Sequence, residues 1–350
     1  MRDPVLMSRR LLLKSAAGAV LATACRTANP SAPKRPRQIG YLSTGPRLPA
    51  DHPAYVAFRD GMRAESFVED TNYEMTYRYC EGDPDRAVPL AVDLVYAGAE
   101  VLVVTSTGAT QAARVVTPNV PIVMIASHDP IDAGVIKELV KPGENVTGQS
   151  LAGATLMPKQ LDYLLQLAPV RRLGYLSPTF PTYAQAYPSV TDAFERSMRA
   201  AGKPLGIEVI SPKVPKTGDV GQALATLAAE SVDALFVIES PTWFTGAVSQ
   251  KPINQIVDFA TRRRLPLIGA QRMYAADQGF LLTYGDVRSA VDMHRSVARY
   301  VARILRGERP GDLAVDVPKF WELVVNAKTA SAIGLDVPQP VIAEAALVIH

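Results

Sequence analysis

The chain has 350 residues, enough for about two domains, with 37 Lys and Arg against 34 Asp and Glu and a formal net charge of +3. Four cations (Arg2, Arg9, Arg10, Lys14) sit against the single acid Asp3 in the first 24 residues, so the remainder is close to neutral and gives no electrostatic basis for holding nucleic acid. Two cysteines exclude a disulfide framework, and the four scattered histidines (His52, His128, His294, His350) lack metal-ligand spacing.

The first element is a targeting segment. Arg9 and Arg10 precede a short apolar run, Leu11 to Ala24, interrupted only by Lys14 and Ser15 and closed by the small residues Ala22-Thr-Ala24. The run is too short to span a bilayer, and this order of charged flank, apolar middle and small exit is that of a twin-arginine export signal over residues 1–24. Cys25 follows where a lipoprotein signal places its acylated cysteine, although Leu21 stands one step further back than such signals have it. Plain cleavage after Ala24 would leave Cys25 unmodified, and both readings stay open. Residues 25–37, rich in Pro and basic side chains, read as an extended tether. The expected location is outside the cytoplasm, in the periplasm or on a membrane surface facing it.

From Gln38 the chain alternates strand and helix patterns. Ile39–Ser43 and Tyr73–Tyr79 read as strands, with helical spacing over Tyr55–Ser66 and Arg86–Gly98. Val101–Thr105 and Pro121–Ile125 are continuous apolar runs with the length of buried parallel strands. After residue 150 the pattern restarts, with helices over Met157–Leu167, Val190–Ala201, Val220–Glu230 and Ile253–Arg263. Strands are expected at Arg172–Leu176, Leu205–Ile210, Ala234–Ile238 and Pro266–Ile268. Repeated β-α-β units in two blocks imply an α/β fold of two doubly wound parallel sheets.

Such folds bind ligands at strand exits, where crossover helices begin with unpaired N–H groups. Here the exits are rich in hydroxyls: Ser43-Thr44, Thr105-Ser106-Thr107-Gly108, Ser127-His128-Asp129, Ser177-Pro178-Thr179 and Glu239-Ser240. Hydroxyls at helix starts also serve as ordinary caps. Enzymatic alternatives fail at specific residues. Gly40 and Gly45 have Walker spacing, but Pro46-Arg47 follow in place of Lys and Ser/Thr. No G-x-G-x-x-G follows the first strand and no G-x-S-x-G elbow occurs. Consecutive Ser127, His128 and Asp129 cannot converge as a triad. A non-enzymatic binding protein without cofactor or metal is the expectation.

The stretches Ala91–Thr105, Lys141-Pro-Gly-Glu-Asn-Val-Thr-Gly148 and Phe320-Trp-Glu-Leu-Val-Val-Asn-Ala-Lys-Thr-Ala-Ser-Ala-Ile-Gly-Leu335 resemble the substrate-binding proteins of ABC importers, in a branch whose characterised members bind aromatic amino acids. The resemblance runs from Ile39 to the C-terminus. It implies a type I periplasmic-binding-protein fold, two α/β lobes joined by three crossovers with ligand trapped between them. Lobe 1 would comprise 38–148 with 283–312, and lobe 2 149–282 with 313–350. Gly148 and Gly285 would serve as hinge positions, or equally as turn residues. The implied partners are a small-molecule ligand and a membrane permease; a receptor feeding a sensor without transport is the alternative function.

Two cleft positions depart from the family pattern: His128-Asp129 where relatives show Gly-Asp, and Ser177-Pro178-Thr179-Phe180 at an Asn-Pro-like exit. The expected ligand is a zwitterion. Its carboxylate would meet Ser106, Thr107 and the amides that follow; its ammonium would meet Asp129, Glu239 or Asp286. Phe180, Tyr183 and above all Trp243 would form an aromatic wall, with Tyr284 beside the second crossover also facing the cleft. Only Arg47 offers a cation near an exit, which argues against a strongly anionic ligand.

Overall fold

The computed structural model describes residues 35–178, 190–214, 219–238, 240, 243 and 251–350. The first sheet has five parallel strands: β1 (Arg37–Ser43), β2 (Tyr73–Tyr79), β3 (Val101–Val104), β4 (Ile122–Ser127) and β5 (Val146–Ser150), in the order β2-β1-β3-β4-β5. Helices α1 (Pro53–Ala64), α2 (Ala87–Tyr96) and α3 (Thr107–Val116) make the crossovers. The apolar runs divide by strand period. Ile39, Tyr41, Val101, Val103, Val123 and Ile125 face Tyr55, Phe58 and Met62 of α1, while Leu42, Leu102, Val104, Ile122 and Met124 face α2 and α3. Burial on both faces is why these strands read as unbroken apolar runs.

The second sheet follows from α4 (Gly153–Leu167) onward. It contains β6 (Arg172–Leu176), β7 (Glu208–Ile210), β8 (Ala234–Val237), β9 (Leu267–Gly269) and β10 (Leu282–Asp286), with α5 (Val190–Gly202), α6 (Gly221–Ala229), α7 (Pro252–Arg262) and α8 (Arg272–Gln278) between them. After α9 (Ala290–Leu305) come β11 (Trp321–Asn326), α10 (Ala327–Ile333), α11 (Gln339–Glu344) and β12 (Leu347–Ile349). The order is β12-β11-β10-β9-β8-β6-β7, parallel throughout except for the antiparallel β10–β11 pair. The α/β class with two doubly wound sheets is therefore the architecture observed.

The strand expected from Leu205 is cut short. Residues Lys203–Leu205 form a 3-10 turn and Gly206 adopts φ +69°, so extended structure begins only at Glu208. The passages between lobes also fall later than read from the sequence. β10 stays hydrogen-bonded in the second sheet to Asp286, so the return to the first lobe comes at 287–289 rather than at 283. Residues 313–316 still run beside β5, where Asp316 N–H donates to Gly148 O at 2.9 Å, so the last passage lies at 317–320. Helix α9 packs on α1 across Gly61, where a Cβ would stand 2.5 Å from the Arg295 carbonyl.

Gly148 and Gly285 are strand residues demanded by close backbone approach. A Cβ would lie 2.1 Å from Met124 O at Gly148, whose φ is +126°, and 2.1 Å from Ala270 O at Gly285. That close approach accounts for glycine at both positions.

Candidate functional site

The exits of β1, β3 and β4 are close together, and their hydroxyls largely satisfy one another. The Thr44 hydroxyl donates to Ser106 Oγ at 3.4 Å, the Thr44 N–H donates to Thr105 Oγ1 at 3.2 Å, and Gly45 N–H donates to Ser43 Oγ at 3.1 Å. Ser106 caps α3 by accepting Ala109 N–H at 3.3 Å, with Gly108 buried in the first turn. Its own backbone (φ 87°, ψ 159°) lies in a region that glycine alone enters freely, a strain of about 1–3 kcal/mol held by the surrounding packing. Thr107 is buried; its hydroxyl pairs with the Ser127 hydroxyl at 3.0 Å and accepts His128 N–H at 3.1 Å. That hydroxyl is turned inward and joins two strand exits.

His128 and Asp129 serve the first crossover. The Asp129 carboxylate accepts Ala154 N–H through both oxygens, at 3.1 and 2.9 Å, capping α4 just after Ala152 in the left-handed region. Burial pushes the Asp129 carboxyl above the usual carboxylate range. The His128 ring meets Phe194 of α5 edge-on at 5.3 Å, and a Cβ on Gly153 would stand 3.0 Å from His128 Nδ1. Asp129 is thus already engaged by a helix start.

The second-lobe candidates are mainly core. Trp243, expected in an aromatic wall, is fully buried among Leu176, Val237, Ile253 and Phe280, with its indole N–H donating to Ile238 O at 2.6 Å. A large apolar ring with one polar atom finds both needs there. Tyr284 turns to the other core, its ring 5.2 Å from Tyr163 and its carbonyl accepting from Gln160 at 2.8 Å. Ser177 and Ser240 are buried, the latter with its N–H toward the Tyr274 hydroxyl at 3.4 Å. Cys25, Thr179, Phe180, Tyr183 and Glu239 lie outside the described residues.

A cavity of about 660 Å³ separates the two sheets at their cleft ends. Thr105, Ile125 and Ala126 line it from the first sheet, and Ala290, Met293 and His294 from the opening turns of α9. Gln271, Arg272, Met273, Ala276 and Asp277 face them from the β9 exit and α8, with Asp286–Ser289 and Glu322 completing the wall. Apolar surface with a few convergent polar groups is what a small-molecule site needs. Another cavity, of about 640 Å³ around Arg114, Glu144 and Arg309, lies at the N-terminal ends of β4 and β5, away from any crossover-helix start.

Charge in the interlobe cavity is organised in pairs. Arg272 bonds Glu322 at 3.3 Å, and Arg288 bonds Asp286 at 2.7 Å and Asp316 at 2.9 Å. The lining holds three acids (Asp277, Asp286, Glu322) against two guanidinium groups, and the exposed Asp277 has no partner among the described residues. At the back, His294 Nδ1 faces Ala290 O at 2.7 Å and so carries the proton, leaving Nε2 to accept from the Tyr41 hydroxyl at 2.9 Å. Burial lowers the His294 pKa below its ordinary 6.5 and raises that of Tyr41, so the wall is a neutral pair.

Of the strand-exit and crossover residues singled out from sequence, Thr105 and Asp286 line this cavity, and Tyr41 of the predicted first strand stands behind it through His294. Arg272, Asp277, Arg288 and Glu322 were missed. The expectation that only Arg47 stands near an exit is corrected, since Arg272 follows β9 directly and Arg288 follows β10. The signal was available: Pro266–Ile268 reads as a strand, but its exit carries no hydroxyl. Among the described residues no His, Cys, Asp and Glu group has the arrangement of a metal site, and no helix is long and apolar enough to cross a membrane.

A family model described as "ABC transporter substrate binding protein" matches residues 48–349. A tyrosine-binding protein of Clostridioides difficile is 24% identical over 306 residues, covering 86% of this chain and 82% of its own. A conserved domain protein from Vibrio cholerae superposes with TM-score 0.74 at 25% identity, covering 89% of this chain and 99% of its own. An ABC domain from Streptococcus pneumonia, solved in complex with L-Trp, superposes with TM-score 0.72 at 24% identity, over 90% of this chain and 100% of its own.

Proposed function

The chain belongs to the ABC transporter substrate binding protein family, and we propose that it is the extracytoplasmic solute-binding component of an importer, holding an amino acid with an aromatic or apolar side chain between its lobes. The observation that carries this reading is the interlobe cavity, with its apolar lining and one carboxylate more than its guanidinium groups. The ligand ammonium is assigned to Asp277, the lining acid without a partner among the described residues, and the ligand carboxylate to Arg272, which opens α8 and lines the same cavity. The side chain lies against Ile125, Ala126, Met273 and Met293. The names of the tyrosine-binding relative and of the L-Trp complex support this ligand class.

The twin-arginine segment and Cys25 complete the proposal: export, then anchoring through an acylated Cys25 on the tether 25–37, which keeps the binding lobes near a permease. Mass spectrometry of membrane-extracted protein is expected to show lipid on Cys25; recovery of an unmodified Cys25 would remove the anchor from the proposal. The test of the binding function is a thermal-shift screen of the exported chain against the amino acids. L-Trp, L-Tyr or a related amino acid is expected to raise the melting temperature in proportion to the logarithm of its excess over Kd. A screen in which sugars or inorganic anions stabilise and amino acids do not would overturn the ligand class.

A further inference from the structure

Arg288 stands where all three connections between the lobes converge. It sits in the second of them, between β10 and α9, and its side chain is largely buried, with 18% exposure. Its Nε donates to both Asp286 oxygens, at 3.1 and 2.8 Å, and Nη2 approaches Asp286 Oδ2 at 2.7 Å. Nη1 donates to Asp316 Oδ2 at 2.9 Å in the segment leading to the third connection. Nη2 also donates to the carbonyl of Ser150, the last residue before the first, at 3.0 Å. Asp286 ends β10 and belongs to the second sheet. Ser150 and Asp316 belong to the first, where Ser150 N–H donates to Asp316 O at 2.9 Å.

One guanidinium thus ties an anchor in one lobe to two in the other. The rigid, planar fork of arginine can do this; the point charge of lysine cannot reach three acceptors in different directions with fixed geometry. Two carboxylates and a carbonyl occupy its donors, which leaves it poorly placed to take a ligand carboxylate even though it borders the cavity. Contacts at the connections move least when two lobes rotate, so this cluster can persist through opening and closing.

We propose that Arg288 is the pivot of the hinge, a positioning residue that makes the three connections turn as one and sets ligand affinity through closure, without touching the ligand. The proposal rests on the two-lobed binding reading. A loosened hinge spreads the ligand-free protein over more arrangements, and every ligand must then pay the same added ordering cost. The affected quantity is therefore a common factor across ligands, not selectivity.

The test uses the full folded chain carrying Arg288→Met, Arg288→Lys or Asp316→Asn, with a spin label on each lobe. Amino acids that bind the unmodified chain, and the amines formed by removing their carboxylate, are titrated against each variant. Arg288→Met is expected to weaken all of them by about the same factor, roughly tenfold. It should also broaden the interlobe distance distribution without ligand. Arg288→Lys should rescue little, and Asp316→Asn, which removes one arm, should broaden the distances less. Selective loss of affinity for the carboxylated ligands would make Arg288 a ligand contact and overturn the proposal. A lower melting temperature with unchanged affinities and distances would also overturn it, leaving a purely structural role. Should Arg288→Met fail to fold, Asp316→Asn decides by the same distances. If no amino acid binds the unmodified chain, the ligand reading fails by itself, and the ligand-free distances still judge the pivot.

Discussion

Thr107→Val separates a hydroxyl that holds the fold from one that holds a ligand. Valine keeps the shape of threonine and removes two interactions, the 3.0 Å pairing with Ser127 Oγ and the 3.1 Å bond accepted from His128 N–H. Ser127 is fully buried and has no second side-chain partner among the described residues, so its hydroxyl loses its partner at a cost of about 1–3 kcal/mol. The His128 N–H sits beside a part-exposed residue and regains water more easily, which adds a smaller amount. A total near 2 kcal/mol corresponds to a fall in Tm of roughly 3 °C for a chain of this size. Thr107 is absent from the cavity wall, so affinity for a bound amino acid should stay within about threefold. The assay is a thermal melt with calorimetric titration of the same sample. Adding Ser127→Ala should recover part of the loss, because the orphaned hydroxyl is then gone. An unchanged Tm with a tenfold loss of affinity would refute the inward placement of this hydroxyl.

Two further outcomes follow from buried groups. Trp243→Leu should cost about 3–5 kcal/mol through lost packing and the unpaired Ile238 carbonyl, with ligand preference unchanged; near-normal stability with weakened binding would return Trp243 to the cleft. His294 is held neutral by burial, between the Ala290 carbonyl and the Tyr41 hydroxyl, with His52 the nearby cation-forming group. Its folded pKa lies below the ordinary 6.5, so its contribution to stability is complete above 6.5 and declines as pH falls through the window beneath that value. The Tm of the unmodified chain should therefore drop more between about pH 7 and 5 than that of His294→Gln, and parallel curves would contradict the neutral assignment.

The architecture was legible because its strands are buried on both faces. Val101–Val104 and Ile122–Ser127 carry apolar residues at every inward position for two cores, and that pattern depends on local sequence alone. The site was less legible. Hydroxyls at exits read as ligand donors, yet Thr44 bonds Ser106 and Thr107 bonds Ser127, pairings that exist only once three separate strand ends meet. Asp129 caps a helix that begins 24 residues later, and Trp243 fills a core whose other walls come from α6, α7 and β8. The cavity acids and arginines come from the β9 exit, the β10 end and β11, elements distant in sequence whose convergence is set by sheet order. Short helices such as α8 also carry too few turns to announce themselves by periodicity.

The interlobe cavity as the ligand site is tested most directly by calorimetric titration of one aromatic amino acid against the unmodified chain, Asp277→Asn and Thr107→Val. The account predicts saturable one-site binding to the unmodified chain, a loss of about tenfold or more in Asp277→Asn as the ammonium loses its charged partner, and near-normal affinity in Thr107→Val. Full-strength binding in Asp277→Asn together with a collapse in Thr107→Val would contradict it and move the site to the hydroxyl-rich strand exits.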